Sequence, residues 1–471
     1  MKSTKEVSSK TKEERKLEIK KQKETTNKTQ SFTKTVGFVS LGCDKNRVDT
    51  ESIITTLKGH SCFNFVFDKT QAQIIIVNTC AFLKVARLEA QETIEEMGKL
   101  KQQGKLEKLI VAGCLPLLDK KKVLEKFSFV DAVIVPSEYN KIDEIVFSLY
   151  NKKPKKADNI PPYRITTTPS HYAYLKIADG CNNRCAYCKI PFIRGNYKSE
   201  KLEKLIEEAT QLANRGVKEI ILVAQDVTRY GCDNQQNLIM LLRKLTQIKN
   251  LSWVRLLYCY PNKVSDELIE EIKLNPKIVK YIDIPLQHIS NNVLKLMNRR
   301  ETKQQIESLI TKLRCEIPEI KIRSTFMVGF PGETKRDFNE LVKFIKKFKL
   351  DNVGFFKYSR EIGTASYDYP NQVSEEVKDI RLKKIQNVMA KISTKQNKKL
   401  KGEVLKVLVD SFEKSHNFYI GRAYFSAPEV DFEVLIKSYK KLTIGSFVDV
   451  KICEFNKGFF IGEVVWIYQT E

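Results

Sequence analysis

The stretch GCNNRCAYC, residues 180–188, decides the reading of this chain. It sets Cys181, Cys185 and Cys188 in the spacing C-x3-C-x2-C, directly after the strand-like segment YLKIAD at 174–179. An iron–sulfur cubane normally takes four thiolates. Three thiolates leave one iron with an open position, as a catalytic metal requires. That position can chelate the amino and carboxylate groups of S-adenosylmethionine. The small and polar residues between the cysteines let the loop wrap a cluster, and Tyr187 is placed to pack near the cluster or an adenine. A zinc site would want a fourth ligand, and the nearest histidine is His171. The triad is therefore expected to hold a [4Fe–4S] cluster that binds and cleaves S-adenosylmethionine.

Outward from the triad, six segments read as strands: YLKIAD, EIILVAQD, WVRLLYCY, YIDIPLQH, KIRSTFMVGFPG and NVGFFKYS. Each is followed by a helical or loop segment, which points to a partial or complete barrel of parallel strands. Such barrels carry chemistry at the carboxyl ends of their strands. Asp179, Gln225, Asp226, Tyr260, Asp283, Gln287 and His288 all fall at or near those ends.

Upstream, TVGFVSLGC, QIIIVNTC, LIVAGCLP and VDAVIVP read as strands, with helical stretches at about Asp49–Lys58 and up to about Gln103. This alternation predicts a parallel α/β domain over 35–148. Residues 149–170, with four prolines, read as a linker, and 171–400 as the barrel with an exit helix over 376–400. From 401 to 471, five short alternating segments predict a small antiparallel β-barrel. Residues 1–34 read as a flexible basic tail. The fold class is thus α/β, in three domains, which suits 471 residues.

No run approaches 18 apolar residues and the start lacks an apolar signal core, so no membrane span is expected and a cytoplasmic protein is. Eleven cysteines, an odd number in a long chain, do not suit a disulfide framework. The net charge of +25 fits either a solvated lysine-rich surface or a polyanionic partner such as RNA or the ribosome.

A cysteine triad of this spacing in a βα barrel resembles the radical S-adenosylmethionine superfamily. Residues 35–470 are similar to its methylthiotransferase branch, which joins an N-terminal cluster domain, a radical barrel and a C-terminal TRAM domain. Cys43, Cys80 and Cys114 each end a predicted strand, in SLGCDKN, VNTCAF and AGCLP. Strand ends of a parallel sheet converge on one edge, so these cysteines can meet. By themselves they read equally well as buried structural cysteines. The resemblance implies that they hold a second [4Fe–4S] cluster, the carrier of the transferred sulfur. Cys62, Cys232, Cys259, Cys315 and Cys453 share no spacing and read as structural. Gly329, Gly332 and Glu333 in FMVGFPGET suit a loop in close approach to the nucleoside. Gln225, Asp226 and Arg194 are candidates for holding its amino acid or ribose portion.

Within the branch, SLGCDKNRVDTE, RLLYCYP, YIDIPLQHIS, KYSREIGT and GRAYFSAPEVD most resemble the members that act on ribosomal protein S-12 at the β-carbon of an aspartate. Asp44 stands where those members usually carry proline, and the basic tail lies outside their pattern. The other reading is a tRNA methylthiotransferase acting on N6-modified adenosine near the anticodon. An RNA-delivering TRAM domain wants excess Lys and Arg, whereas residues 401–471 hold nine Lys and Arg against ten Asp and Glu. The cluster Glu429, Asp431 and Glu433 suits a basic protein partner by charge complementarity. The resemblance further implies an electron donor such as flavodoxin or ferredoxin, and a monomer.

Overall fold

The computed structural model describes residues 32–154, 163–456 and 458–465. The basic tail up to residue 31, residues 155–162 of the linker and the last six residues lie outside them. In the first domain the run Ile74-Ile-Ile-Val77 is fully buried. Only a strand covered on both faces tolerates such a continuous apolar run. Accordingly β1 (Lys34–Ser40), β2 (Phe63–Phe65), β3 (Ile74–Thr79), β4 (Lys108–Gly113) and β5 (Ala132–Val133) form one parallel sheet in the order β2-β1-β3-β4-β5. Helix α1 (Asp44–Lys58) follows β1, α2 (Lys84–Gln102) follows β3, and the short α3 (Cys114–Leu118) follows β4. Helix α1 starts five residues before the sequence reading placed it. Its first turns are polar yet buried: Lys45, Asn46 and Asp49 are all covered.

The second domain is an open half-barrel. Strands β6 (Tyr172–Lys176), β9 (Glu219–Val223), β10 (Trp253–Leu256), β11 (Ile278–Asp283), β12 (Lys321–Val328) and β13 (Asn352–Lys357) lie parallel in chain order. The small ribbon β7 (Ala178–Asp179) and β8 (Lys198–Ser199) flanks the cysteine loop, with the helical turn α4 (Ile190–Arg194) between them. Outside the sheet run α5 (Leu202–Asn214), α6 (Leu238–Thr246), α7 (Asp266–Leu274), α8 (Lys303–Glu316), α9 (Lys335–Phe348) and the exit helix α10 (Glu375–Asn397). Alternate strand residues such as Ala173, Leu175, Ile220 and Leu222 pack against their apolar stripes. Helices α8 and α9 open on capping boxes, Thr302 with Gln305 and Thr334 with Asp337.

The third domain is a closed five-stranded barrel of β14 (Val404–Glu413), β15 (Phe418–Ala423), β16 (Val434–Lys437), β17 (Phe447–Asn456) and β18 (Phe459–Val464). It is not wholly antiparallel: β16 pairs with β18 in parallel, which closes the cylinder.

This barrel plugs the concave face of the half-barrel. Leu408 and Ala427 join Tyr172, Tyr174, Val223, Trp253 and Tyr281 in one core, to which α1 adds Val48. Ionic groups line the same interface. Glu219 lies between Arg255 and Arg422, 2.6 Å from each, and all three are buried. Arg422 also reaches Asp410 at 2.7 Å, and Asp410 meets His171 at 2.7 Å. The acidic cluster read as a partner surface is used here instead. Asp431 accepts from Tyr281 at 2.7 Å and faces Arg323 at 3.3 Å, while Glu429 pairs with Arg47 of α1 at 2.8 Å. Asp431 is thus buried and paired inside the interface, while Glu429 stays half exposed against Arg47. Among the described residues no helix is long and apolar enough to cross a membrane.

Candidate active site

The carboxyl ends of both parallel sheets open on one cavity of about 380 Å³. Six cysteines line it: Cys43, Cys80 and Cys114 from the first domain, and Cys181, Cys185 and Cys188 from the second. The first three follow β1, β3 and β4, neighbours at the centre of their sheet, which is why residues 71 positions apart in sequence meet. Gly42 sits at φ +90°, and a Cβ there would stand 2.6 Å from Cys80 Cβ. Only glycine allows the Cys43 loop to pass so close to Cys80. Asn46 ties these loops together. Its amide donates to the carbonyls of Leu41 and Thr79 at 3.0 and 2.9 Å, and its oxygen accepts from Arg194 at 2.6 Å.

The second triad sits on a loop clamped from several sides. The Cys181 amide donates to the Gly195 carbonyl, the Cys188 amide to the Cys185 carbonyl and the Ala186 amide to the Met297 carbonyl. The Asn183 amide N–H points at Cys181 Sγ, 3.5 Å away. Burial pushes the Cys181 and Cys114 thiols up to about 11, the latter despite the opposing charge of Arg194. Burial also raises Cys80 and Cys188. As free thiols they keep their protons, and a bound iron takes the proton's place.

Among the described residues no three Cys, His, Asp or Glu side chains close on one point suited to a single ion. A cubane does not ask for that, since its thiolates bind different irons. The rest of the lining suits a sulfide-rich anionic group and a sulfonium amino acid. Lys45, Arg194 and Arg299 bring positive charge. The amide oxygens of Gln225 and Gln287 are buried with no hydrogen-bond partner. Orphaned acceptors of this kind call for a donor from a ligand, such as an ammonium group. Phe82, Ile190, Ile193 and Pro285 supply apolar wall, and Tyr187, Tyr258 and Tyr260 aromatic wall.

Of the other residues singled out in the sequence, Tyr187, Arg194 and Gln225 line the cavity. Asp226 is buried behind it and accepts from Asn183 at 2.8 Å, so it braces the cysteine loop. Gly329, Gly332 and Glu333 stand outside the lining. Glu333 accepts from the amides of Gly329 and Phe330 and faces Arg381 at 3.3 Å. A Cβ on Gly329 would strike Lys378 of the exit helix at 2.2 Å, so this turn is built for packing against α10. Cys259, read as structural, is buried yet belongs to the cavity wall. Lys45, Asn46 and Arg299 were not singled out. Lys45 and Asn46 fall inside the quoted SLGCDKN, and Arg299, stacked 4.4 Å over Tyr260, stands next to last in the segment DIPLQHISNNVLKLMNRR that resembles the family's barrel.

The fold and the cavity define a class: a radical S-adenosylmethionine enzyme with an added N-terminal cysteine domain and a TRAM barrel. Residues 175–345 match the radical SAM superfamily, 35–135 the uncharacterized protein family UPF0004, and 402–465 the TRAM domain. Among solved structures, the radical S-adenosylmethionine methyltransferase TsrM of Kitasatospora setae is similar in fold. Its TM-score is 0.55 at 13% identity, over 76% of this chain and 89% of that one. The ribosomal protein uS12 methylthiotransferase RimO of Acetivibrio thermocellus is 43% identical, over 92% of this chain and 98% of its own. RimO of Caldanaerobacter subterraneus subsp. tengcongensis is 46% identical, over 91% and 99%. The chain belongs to the RimO family of methylthiotransferases.

Proposed function

We propose that this enzyme inserts a methylthio group at the β-carbon of an aspartate in ribosomal protein uS12. The observation that carries the reading is the convergence of two cysteine triads, one per domain, on a single cavity. Cys181, Cys185 and Cys188 would hold one [4Fe–4S] cluster and Cys43, Cys80 and Cys114 a second. When bound, the two clusters and S-adenosylmethionine supply one-electron reduction of the sulfonium, a sulfur atom and a methyl group, chemistry outside the reach of side-chain acids and bases.

The chain's own residues bind, orient and shield. Gln225 and Gln287 are placed to accept from the ammonium group of the methionine portion, and Arg299 to meet its carboxylate. Asp179 fixes Gln225 by accepting from its amide at 3.0 Å, which turns the free oxygen toward the ligand. Lys45, held 3.4 Å over the ring of Tyr258, keeps positive charge beside the first triad. The apolar wall limits the water that would otherwise quench a reactive carbon centre. The reading includes an external one-electron donor of the flavodoxin or ferredoxin kind, a monomeric enzyme and a cytoplasmic site of action.

The test is the mass of uS12 from cells with and without this protein. A methylthio group in place of one hydrogen, present only with the protein, is the expected result. An unchanged uS12 accompanied by a changed tRNA nucleoside would transfer the reading to the tRNA-modifying relatives.

A further inference from the structure

The net charge of +25 has no home in the site, and the TRAM segment carries none of the excess. Much of it gathers at one end of the half-barrel. From Ile380 to Gly402 the chain holds eight Lys and Arg and no Asp or Glu. Within α10 the ion pairs lie in the N-terminal half, where Lys378 meets Glu375 and Arg381 meets Glu333. Beyond Lys384, exposed Lys391 and Lys395 recur at helical spacing, and Lys398, Lys399 and Lys401 continue the run through the following turn. The end of α9 lies alongside. Gln396 donates to the Lys349 carbonyl at 2.8 Å, and Lys343, Lys346 and Lys349 are exposed there too.

Beside this lysine face runs a groove of about 620 Å³ between the edge strand β13, helix α10 and the TRAM barrel. Phe355, Phe432 and Phe455 line it together with Gln386, Ser393 and Thr394. Phe432 and Phe455 meet edge to face, their centroids 5.3 Å apart. Asp351, the acidic residue on the wall, is matched by Lys321 at 3.2 Å. Lysines along a groove with aromatic side chains and amide and hydroxyl groups are the ingredients of a single-stranded nucleic-acid site. Phosphates take the cations, and a base takes the π-face.

We propose that the C-terminal half of the exit helix and the groove beside it bind an unpaired segment of RNA, phosphates on Lys391, Lys395, Lys398 and Lys399 and a base in the groove. The surface stands on charge and shape. That the RNA is ribosomal rests on the reading of uS12 as substrate, and it would mean that the enzyme meets uS12 on the small subunit. A lipid surface would use the lysines but not the groove, and an acidic protein would not give the salt law of a polyphosphate.

The experiment uses the full chain, a fluorescein-labelled twelve-nucleotide oligouridylate, a twelve-pair RNA duplex and phosphatidylglycerol vesicles. Binding of the single strand should weaken steeply with salt. The variant K391Q/K395Q/K398Q/K399Q should lower that log–log slope by about two to three, since each contacted phosphate contributes about 0.7. Ala390→Leu, which fills an exposed position on the groove wall without adding a π-face, should weaken the single strand about ten-fold at unchanged salt slope, within the range of one lost stack, and leave the duplex unaffected. A wild-type slope in the quadruple variant, or vesicles bound more tightly than the oligonucleotide, would overturn the proposal. Reconstituted quadruple variant should modify a free uS12 peptide at the wild-type rate and intact small subunits at least ten-fold more slowly. Inactivity of the wild type on both substrates would remove the functional reading, and the oligonucleotide data alone would then decide this one.

Discussion

Arg194 of the radical domain donates to the Cys114 sulfur of the N-terminal domain at 3.3 Å. The same guanidinium holds Asp49 at 2.8 Å and Asp179 at 3.0 Å, so one side chain bridges the two cysteine triads' domains. It is almost fully buried, with Asp49 beside it. Arg194→Gln should therefore leave Asp49 and Asp179 with Lys176 as their remaining cation partner, at a cost below the ~3–5 kcal/mol of a buried charge left wholly unpaired. In the loaded protein, loss of the positive charge should also make the first-domain cluster harder to reduce. The expected fall in midpoint potential is about 60 mV, a tenfold change for one electron. Arg194→Lys should restore part of it. An EPR-monitored redox titration showing no change would separate Arg194 from the cluster's electronics and leave it a purely structural bridge.

Gly42 offers a way to separate the triads. A Cβ there meets Cys80 Cβ at 2.6 Å and Cys80 Sγ at 3.1 Å. Gly42→Ala should push the Cys43 and Cys80 loops apart and leave Cys181, Cys185 and Cys188 undisturbed. Anaerobic reconstitution should then give ~4 irons per chain where the parent gives ~8, four per cubane. Reductive formation of 5′-deoxyadenosine should survive while methylthio transfer is lost. About four irons in the parent as well would mean that the first triad holds no cluster, and about eight in both would mean that the Gly42→Ala loop still holds one.

The elements around the site were legible because each strand is an apolar run that ends on a distinctive residue. QIIIVNTC announces both the strand and the cysteine that follows it, and GCNNRCAYC the cysteine loop after YLKIAD. Residues whose partners are distant in sequence were not. The start of α1 escaped because Lys45, Asn46 and Asp49 are polar, and their burial comes from Tyr258, Arg194 and Lys176, more than a hundred residues away. Gly329 and Glu333 read as a ligand loop, but a turn with glycines at positive φ serves helix packing equally well, and here Lys378 fills the space a Cβ on Gly329 would need. Glu429 and Asp431 looked like a surface because charge is usually exposed. Tyr281 and Arg323 turn Asp431 inward, whereas Glu429 stays half exposed beside Arg47.

The barrel interface yields a stability prediction. Glu219 is the shared counter-charge of Arg255 and Arg422, and none of the three reaches solvent. Glu219→Gln would keep the shape and strand the Arg255 guanidinium, whereas Arg422 would keep Asp410. Urea denaturation should show a loss of ~3–5 kcal/mol. Proteolysis should quicken at residues 398–403, where the exit helix hands over to β14, because the TRAM barrel would separate before the half-barrel unfolds. A double variant, E219L/R255M, should be less destabilised than Glu219→Gln, since it removes the charge that Gln would strand and leaves Arg422 paired with Asp410. The opposite order would mean that packing, not charge, secures the interface.

His288 sets the response of the fold to acid. Its ring is fully buried, Nδ1 accepts from the Ser290 amide at 3.0 Å, and Nε2 has no partner. Burial pushes its pKa down to about 3, with Arg381 acting in the same direction and Asp337 against it. The unfolded chain takes up a proton at about pH 6.5 that the folded chain refuses until about pH 3. More protons bound to the unfolded state means that stability rises with pH. The contribution is complete above pH 6.5 and drains away as pH falls through that window. His288→Asn keeps an acceptor for Ser290 and removes the titration. Between pH 7.5 and pH 5.0, the parent should lose about 2 kcal/mol more than the variant, from the 1.5 pH units below 6.5 at about 1.4 kcal/mol each. Urea midpoints of the two proteins at both pH values make the comparison. Equal losses would place the acid sensitivity in the carboxylates rather than in this imidazole.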